Sequence, residues 1–144
     1  MDVMNDNKGE SFAELAYYTL SHQDMKYFIH QHFVDAWQAQ LADGHTKPIA
    51  LIFSLVGLYL FVEKNFTGRD VQEAHIRMAR NKVRWPAITL PSNRGEINIK
   101  NVLACSPGKD RDEMITRWCT AVWDAYKDEQ QTIRILVNTM PGVC

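Results

Sequence analysis

Residues 47–64 read KPIALIFSLVGLYLFVEK and contain the longest apolar run of the chain, Ile49 to Val62. Pro48 suits the first turn of a helix, where its missing N–H leaves no hydrogen bond unmade. As a helix, the apolar run would reach only about 21 Å, short of the ~30 Å hydrocarbon core of a bilayer. We therefore predict a helix from Pro48 to Lys64 that is buried in a protein core and does not span a membrane.

Helix signals flank this run on both sides. Ser11 and Glu14 have the spacing of a capping box, and Asp24 and Thr67 stand where a second and a fourth helix would begin. The pattern breaks after Trp85 and resumes when Asp110 caps a last helix with apolar residues at helical spacing. The accompanying helices are predicted over about residues 11–20, 25–42, 67–83 and 110–137.

These elements predict an all-α, single-domain helical bundle of about five helices. One long ordered loop, residues 85–108, joins the fourth and last helices and contains Pro86, Pro91 and Pro107. Within it we expect a short extended piece at residues 97–99 and a turn of helix at residues 100–104.

Composition places the chain among ordinary globular domains. It has 144 residues, 46% of them apolar, and a formal net charge of −1. This apolar fraction excludes disorder for most of the chain, and a nucleic-acid-binding protein usually carries a clear basic excess. We predict one helical domain over residues 11–144, preceded by a polar, flexible segment over residues 1–10.

The cysteines and the N-terminal residues bear on the compartment. Cys105, Cys119 and Cys144 are odd in number and widely spaced, a pattern typical of neither a disulfide framework nor a thiolate zinc site. The first ten residues lack the apolar segment of a secretory signal. We expect a cytoplasmic protein in which Cys119 is a small buried hydrophobe.

Several ionisable residues share helix faces with apolar side chains. In the second helix, His30 lies in the apolar stripe, whereas His32 and Asp35 lie on another face. In the third helix, Glu63 aligns with the apolar positions. In the fourth helix, His75 lies in the apolar stripe. Imidazole and carboxylate groups on facing helices bind Zn, Fe, Mn or Ni. The pattern predicts a divalent transition-metal site with His30, Glu63 and His75 as ligands. Asp35 or His32 would be a fourth ligand or would orient an imidazole.

Other interpretations of the same residues remain open. His30 and His75 would be hydrogen-bonded core histidines if no metal binds, and Glu63 would reach solvent or pair with Lys64 or Arg69. The competing function is a non-enzymatic module that forms a homodimer through its last helix, with Trp118 or Trp123 exposed in the monomer. The basic run from Arg77 to Arg84 is a solvated helix face in our interpretation, so nucleic acid is not an expected partner. No motif identifies a small-molecule substrate.

One family shares these short patterns. The residues that carry the resemblance are the segment His30-Gln-His-Phe-Val-Asp35-Ala-Trp37, Gln40, Lys47-Pro48, Glu63, Thr67-Gly68-Arg69, His75, Trp85-Pro86, Trp118 and Trp123. With them the chain resembles the DUF5946 family of bacterial proteins over roughly residues 12–137. It lacks the Cys-Pro-x-Cys pair of some relatives, and Leu41 stands where the resemblance would place a histidine. The resemblance implies a shared fold and supplies no activity.

Overall fold

The computed structural model describes residues 3–143, with side chains from Lys8 onward. Within these residues the chain forms seven α-helices, one 3₁₀ turn and no β-strand, which confirms the all-α class. The elements are α1 (Val3–Leu20), α2 (Ile29–Leu41), α3 (Pro48–Lys64), α4 (Gly68–Arg80), α5 (Ile99–Ala104), α6 (Lys109–Ala125), the 3₁₀ turn (Lys127–Glu129) and α7 (Gln130–Thr139). Cys144 lies outside the described residues.

Helix α3 is the central element of the bundle. Every residue from Ser54 to Leu60 is buried, and α2, α4, α6 and α7 all pack against this helix. Its uniformly apolar sequence is thereby explained, because a helix covered on all sides has no face that must be polar. The predicted bounds of this helix are correct. No helix in residues 3–143 is long and apolar enough to cross a membrane.

The prediction of about five helices is wrong, because the structure divides the chain further. The predicted last helix is two helices: α6 ends at Ala125, and the 3₁₀ turn redirects the chain into α7. The loop after α4 contains the separate helix α5, where Asn98 and Asn101 form a reciprocal capping box. The turn of helix expected at residues 100–104 is confirmed as part of α5, and Asn98 before it is extended. Helix α4 ends at Arg80 rather than near residue 83.

The first two helices also begin elsewhere than predicted. Helix α1 starts at Val3, upstream of the expected cap at Ser11. The flexibility expected for residues 1–10 stays a prediction. Helix α2 starts at Ile29 and not at residue 25, because Phe28 adopts a left-handed conformation with φ of 46° that no helix interior tolerates. Asp24 still forms a hydrogen bond with the first residue of α2, since its Oδ2 accepts from the Ile29 N–H at 3.2 Å.

The side chain of Gln40 ties the long loop to the bundle. Its Nε2 donates to the carbonyls of Arg94 and Ile97 at 3.2 and 2.7 Å, and its Oε1 accepts from Trp118 Nε1 at 3.0 Å. In return, the Arg94 guanidinium donates to the carbonyls of Gln40 and Ala42. Helix α2 therefore provides the hydrogen bonds that the loop cannot make within itself.

The aromatic residues of α6 are part of the core. Trp118, Trp123 and Tyr126 are 0%, 1% and 1% exposed. The expectation that Trp118 or Trp123 is exposed in the monomer is wrong, because both rings are used to pack α6 against the bundle. Self-association by another surface stays a prediction. Cys119 is fully buried, with its Sγ 3.3 Å from the His32 carbonyl oxygen, as expected for a small hydrophobe.

We expect Gln40→Ala to lower the free energy of unfolding by about 2–4 kcal/mol, because it leaves two carbonyls and the Trp118 indole N–H without partners. Urea unfolding of the variant beside wild type measures this. Gln131→Ala, at an exposed position of α7, is the matched control and should stay within about 0.5 kcal/mol of wild type. Equal losses in both variants would contradict the role assigned to Gln40.

Candidate functional site

Asp35 projects from α2 into the interface with α3. It is 2% exposed; its Oδ1 accepts from Gln31 Nε2 at 3.1 Å, and its Oδ2 has no hydrogen-bond partner. The carboxyl occupies the space left by the missing side chain of Gly57, since a methyl group there would overlap Oδ2. The same methyl position is bounded by Val71 of α4. Gly57 thus forms a notch in α3 that holds a carboxyl.

The surroundings of Asp35 favour its neutral form. Burial raises the pKa of this carboxyl well above its usual range, and the hydrogen bond from Gln31 opposes the shift only in part. No Lys or Arg forms an ion pair with it among the described residues. The surroundings of Asp35 therefore favour the neutral carboxylic acid over the carboxylate.

His75 of α4 lies on the other side of the same interface. Its Nε2 is 2.8 Å from the Phe53 carbonyl oxygen, so Nε2 carries the proton and Nδ1 keeps a lone pair. Burial lowers the pKa of His75, and the bond to the carbonyl offsets this in part. The imidazole is thus neutral and orients one free nitrogen.

Asp35 and His75 line one cleft between α2, α3 and α4, with a volume of about 410 Å³. The remaining lining residues are the amides Gln31 and Gln38 and the apolar residues Val34, Ile49, Ala50 and Phe53. Gln38 is held by a hydrogen bond from Ser54 Oγ to its Oε1 at 2.8 Å. We call this the α2–α3–α4 cleft.

His32, one turn before Asp35 on α2, is buried without any hydrogen bond. The ring is 0% exposed, both nitrogens lack a partner, and it stacks on Phe61 with centroids 3.6 Å apart and an interplanar angle of 11°. Burial lowers the pKa of His32 to about 3. The core of α2 therefore contains a neutral imidazole and a neutral carboxylic acid side by side on the face toward α3.

Residues 9–127 match a family model described as a family of unknown function, DUF5946. The chain belongs to the DUF5946 family. No curated protein and no solved structure matches it. Asp35, Gly57 and His75 all lie within the part that defines this DUF5946 domain, whereas α7 follows it.

The other two predicted ligands have hydrogen-bond partners away from the α2–α3–α4 cleft. His30 Nδ1 is 2.9 Å from Thr19 Oγ1, and burial lowers its pKa. Glu63 Oε2 accepts from Trp123 Nε1 and from Arg134, each at 2.7 Å, and the bond to Arg134 is the main reason that the pKa of Glu63 is lowered. Glu63 thus links α3 to α7 through Arg134. It does not pair with Lys64 or Arg69, the two partners considered from the sequence.

The structure brings together only part of the predicted metal site. Asp35 and His75 share the cleft, His32 lies beside Asp35, and His30 and Glu63 have separate partners. Among residues 8–143 no three or more His, Cys, Asp or Glu side chains are placed so that they could hold a metal ion. Helical spacing predicts the face of a helix on which a residue lies, but it does not predict how deeply the residue is buried or which residues it contacts. For this reason the predicted metal site grouped His30 and Glu63 with His75.

Sequence reasoning missed Gly57, Gln31 and Gln38. The signal for Gly57 was available, because a glycine in the middle of a buried apolar helix often marks a close approach by another group. Nothing in the pattern of α2 distinguishes its two cleft-lining amides from ordinary surface residues.

A second polar cluster joins α1 to the start of α6 in the DUF5946 domain. Asp112 Oδ1 accepts from the Tyr18 hydroxyl at 2.6 Å and lies 3.0 Å from His22 Nε2. The Tyr18 hydroxyl in turn accepts from the Gly108 N–H at 2.8 Å. The hydrogen-bonding groups of this cluster are paired with one another, so we interpret the cluster as a structural link between α1 and α6.

The buried His32 makes the DUF5946 domain sensitive to acid. The unfolded chain takes up a proton near pH 6.5, whereas the folded ring stays neutral down to about pH 3, so stability is lost as pH falls through this window. The loss attributable to His32 approaches about 1.4 kcal/mol per pH unit. Between pH 6.5 and 4.5, the free energy of unfolding measured with urea should fall less for His32→Leu than for wild type. His45→Ala, which changes an exposed histidine after α2, is the control and should behave as wild type does. Parallel wild-type and His32→Leu curves would contradict this assignment.

Proposed function

We propose that this DUF5946 domain binds a small organic molecule in the α2–α3–α4 cleft, with Asp35 and His75 as its principal polar contacts. The observation that carries this proposal is the Asp35 carboxyl, which is buried at the cleft with one oxygen that has no partner.

Stability alone gives no reason for this carboxyl. An unsatisfied buried polar group costs about 1–3 kcal/mol, and the notch at Gly57 adds the loss of an apolar side chain from the central helix. An apolar side chain on α2 packed against an alanine of α3 would avoid both costs. Polar groups that lower stability in this way are concentrated at functional sites.

The shape and lining of the cleft support the same proposal. A volume of about 410 Å³ falls at the lower end of the range of small-molecule sites. Apolar walls with a few converging polar groups are the usual composition of such sites, and perturbed protonation is a further mark of them. His75 Nδ1 would act as a hydrogen-bond acceptor and the Gln38 amide as a donor. His75 is also suited to a general-base role if the ligand reacts.

A fragment library screened by ligand-detected NMR tests the site. We expect fragments that bind wild type to lose binding in Ala50→Trp, because Ala50 is exposed in the cleft wall and a large ring there would fill it. Ile76→Trp places the same ring on an exposed position of α4 that does not line the cleft, and it should retain binding. A library without binders, or binders that tolerate Ala50→Trp, would refute the proposed site.

A second candidate is a divalent transition metal bound by Asp35 and His75, a reduced form of the predicted site. The observation in its favour is the Phe53 carbonyl, which holds Nε2 and leaves Nδ1 as the available ligand atom, the arrangement found behind many metal-binding histidines. Gln31 Oε1 and water would complete an N/O donor set that suits Zn, Mn, Fe or Ni. Binding would require Asp35 to lose its proton, so affinity should rise with pH.

Calorimetric titration with Zn²⁺, Ni²⁺ and Mn²⁺, and with Fe²⁺ under anaerobic conditions, tests the metal candidate. We expect His75→Ala to weaken binding by at least about tenfold, since it removes the only nitrogen ligand. His45→Ala removes an exposed histidine away from the cleft and should bind as wild type does. Identical affinities for wild type and His75→Ala, or no heat of binding at all, would eliminate this candidate.

A further inference from the structure

The charges of the cleft lining restrict its ligand. The eight residues that line it include no Lys, Arg or Glu, and Asp35 is the only residue among them with an acidic side chain. Two other surface clefts differ: one is bordered by Asp70, Glu73 and Arg77, and another by Glu10, Glu14 and Lys100. The α2–α3–α4 cleft therefore offers no fixed counter-charge.

Asp35 itself offers little charge. The groups around its carboxyl are the Gln31 amide of its own helix, Gly57 of α3 and Val71 of α4, and the buried Cys119 thiol of α6 is also near enough to interact with it. None of them is a cation, and His75 of α4, which shares the cleft, is neutral. Burying a charge without a partner is far more costly than burying a neutral polar group. A cationic ligand would have to bring about the ionisation of Asp35, and an anionic ligand would find no positive group.

The hydrogen-bonding atoms of the cleft form a complementary set. His75 Nδ1 and Gln31 Oε1 are acceptors and Gln38 Nε2 is a donor, whereas Asp35 Oδ2 is enclosed in the notch at Gly57. Among the described residues these three cleft atoms form no hydrogen bond, because the bonds of their side chains use His75 Nε2, Gln31 Nε2 and Gln38 Oε1. A carboxamide presents one strong acceptor oxygen and two N–H donors, and so can satisfy both kinds of atom at once.

We propose that the ligand of this cleft is an uncharged small molecule with a carboxamide-like head and a compact apolar or aromatic body. The inference rests on the proposed function, since it names the chemical class that the same site accepts. The head lies at Gln31, Gln38 and His75, and the body contacts Val34, Ile49 and Phe53. Uncharged cyclic amides and aryl carboxamides belong to this class, whereas carboxylates and amidines of the same size do not.

Benzamide, benzoate and benzamidine test the class directly, because they share size and ring and carry charges of about 0, −1 and +1 at neutral pH. The measurement is a titration of ¹⁵N-labelled full-length chain followed by amide chemical shifts, including the side-chain amides of Gln31 and Gln38. We expect benzamide to perturb cleft resonances and to bind at least about tenfold more tightly than either charged analogue. Equal or tighter binding of benzoate or benzamidine in the cleft would overturn the inference.

Variants identify the atoms involved. His75→Ala and Gln38→Ala should each weaken benzamide binding by about threefold or more, as expected for the loss of one hydrogen bond. Gln131→Ala, at an exposed position of α7, should leave binding unchanged. If benzamide does not bind, or binds both variants as it does wild type, the assigned ligand class is wrong. The proposed site is judged separately by the fragment library and Ala50→Trp, so charged fragments that bind in the cleft would refute this inference alone.

Discussion

The contact between the Asp35 carboxyl and the notch at Gly57 is the constraint on which the site depends. A polar group enters the most apolar helix of the chain at the one buried position of that helix where no side chain occupies the space. Because the carboxyl lies between α2 and α3 and against α4, the distances among these three helices are set around it. The cleft is the outer part of the same arrangement, where Gln31 covers one carboxyl oxygen and His75 faces it from α4.

The neutral state of the core follows from this packing. His32 and Asp35 are separated by one helical turn, and burial shifts the pKa of the imidazole down and that of the carboxyl up, so burial favours the neutral form of both groups. The two shifts act on stability in opposite directions. Acid penalises the buried imidazole, whereas a pH above the ordinary carboxyl range penalises the buried acid, because the unfolded chain then releases a proton that the folded chain retains. Between about pH 3.8 and 6.5, the ordinary pKa values of the two groups, the two contributions therefore oppose each other.

Much of the fold could be predicted from local signals, and much of the site could not. The bounds of α3, the start of α4 after Thr67, and the burial of Cys119 follow from proline placement, cap chemistry and apolar spacing. The late start of α2 depends on the left-handed conformation of Phe28, and the break between α6 and α7 depends on packing, so neither has a strong local signal. Spacing placed Asp35 and His75 on candidate faces, but the partner of Glu63 lies on α7, 71 residues further along the chain, where no local pattern indicates it.

The junction between α2 and α4 has a consequence for access to the cleft. The Gly68 N–H donates to the Tyr27 carbonyl, a side chain at position 68 would overlap the backbone of Phe28, and the Arg69 guanidinium lies 3.8 Å above the Phe28 ring. These contacts thus hold the N-terminal ends of α2 and α4 together. Any separation of α2 from α4 must widen the opposite end, near the exposed residues Ile49 and Ala50 at the start of α3. A ligand bound as we propose would therefore enter at this opposite end.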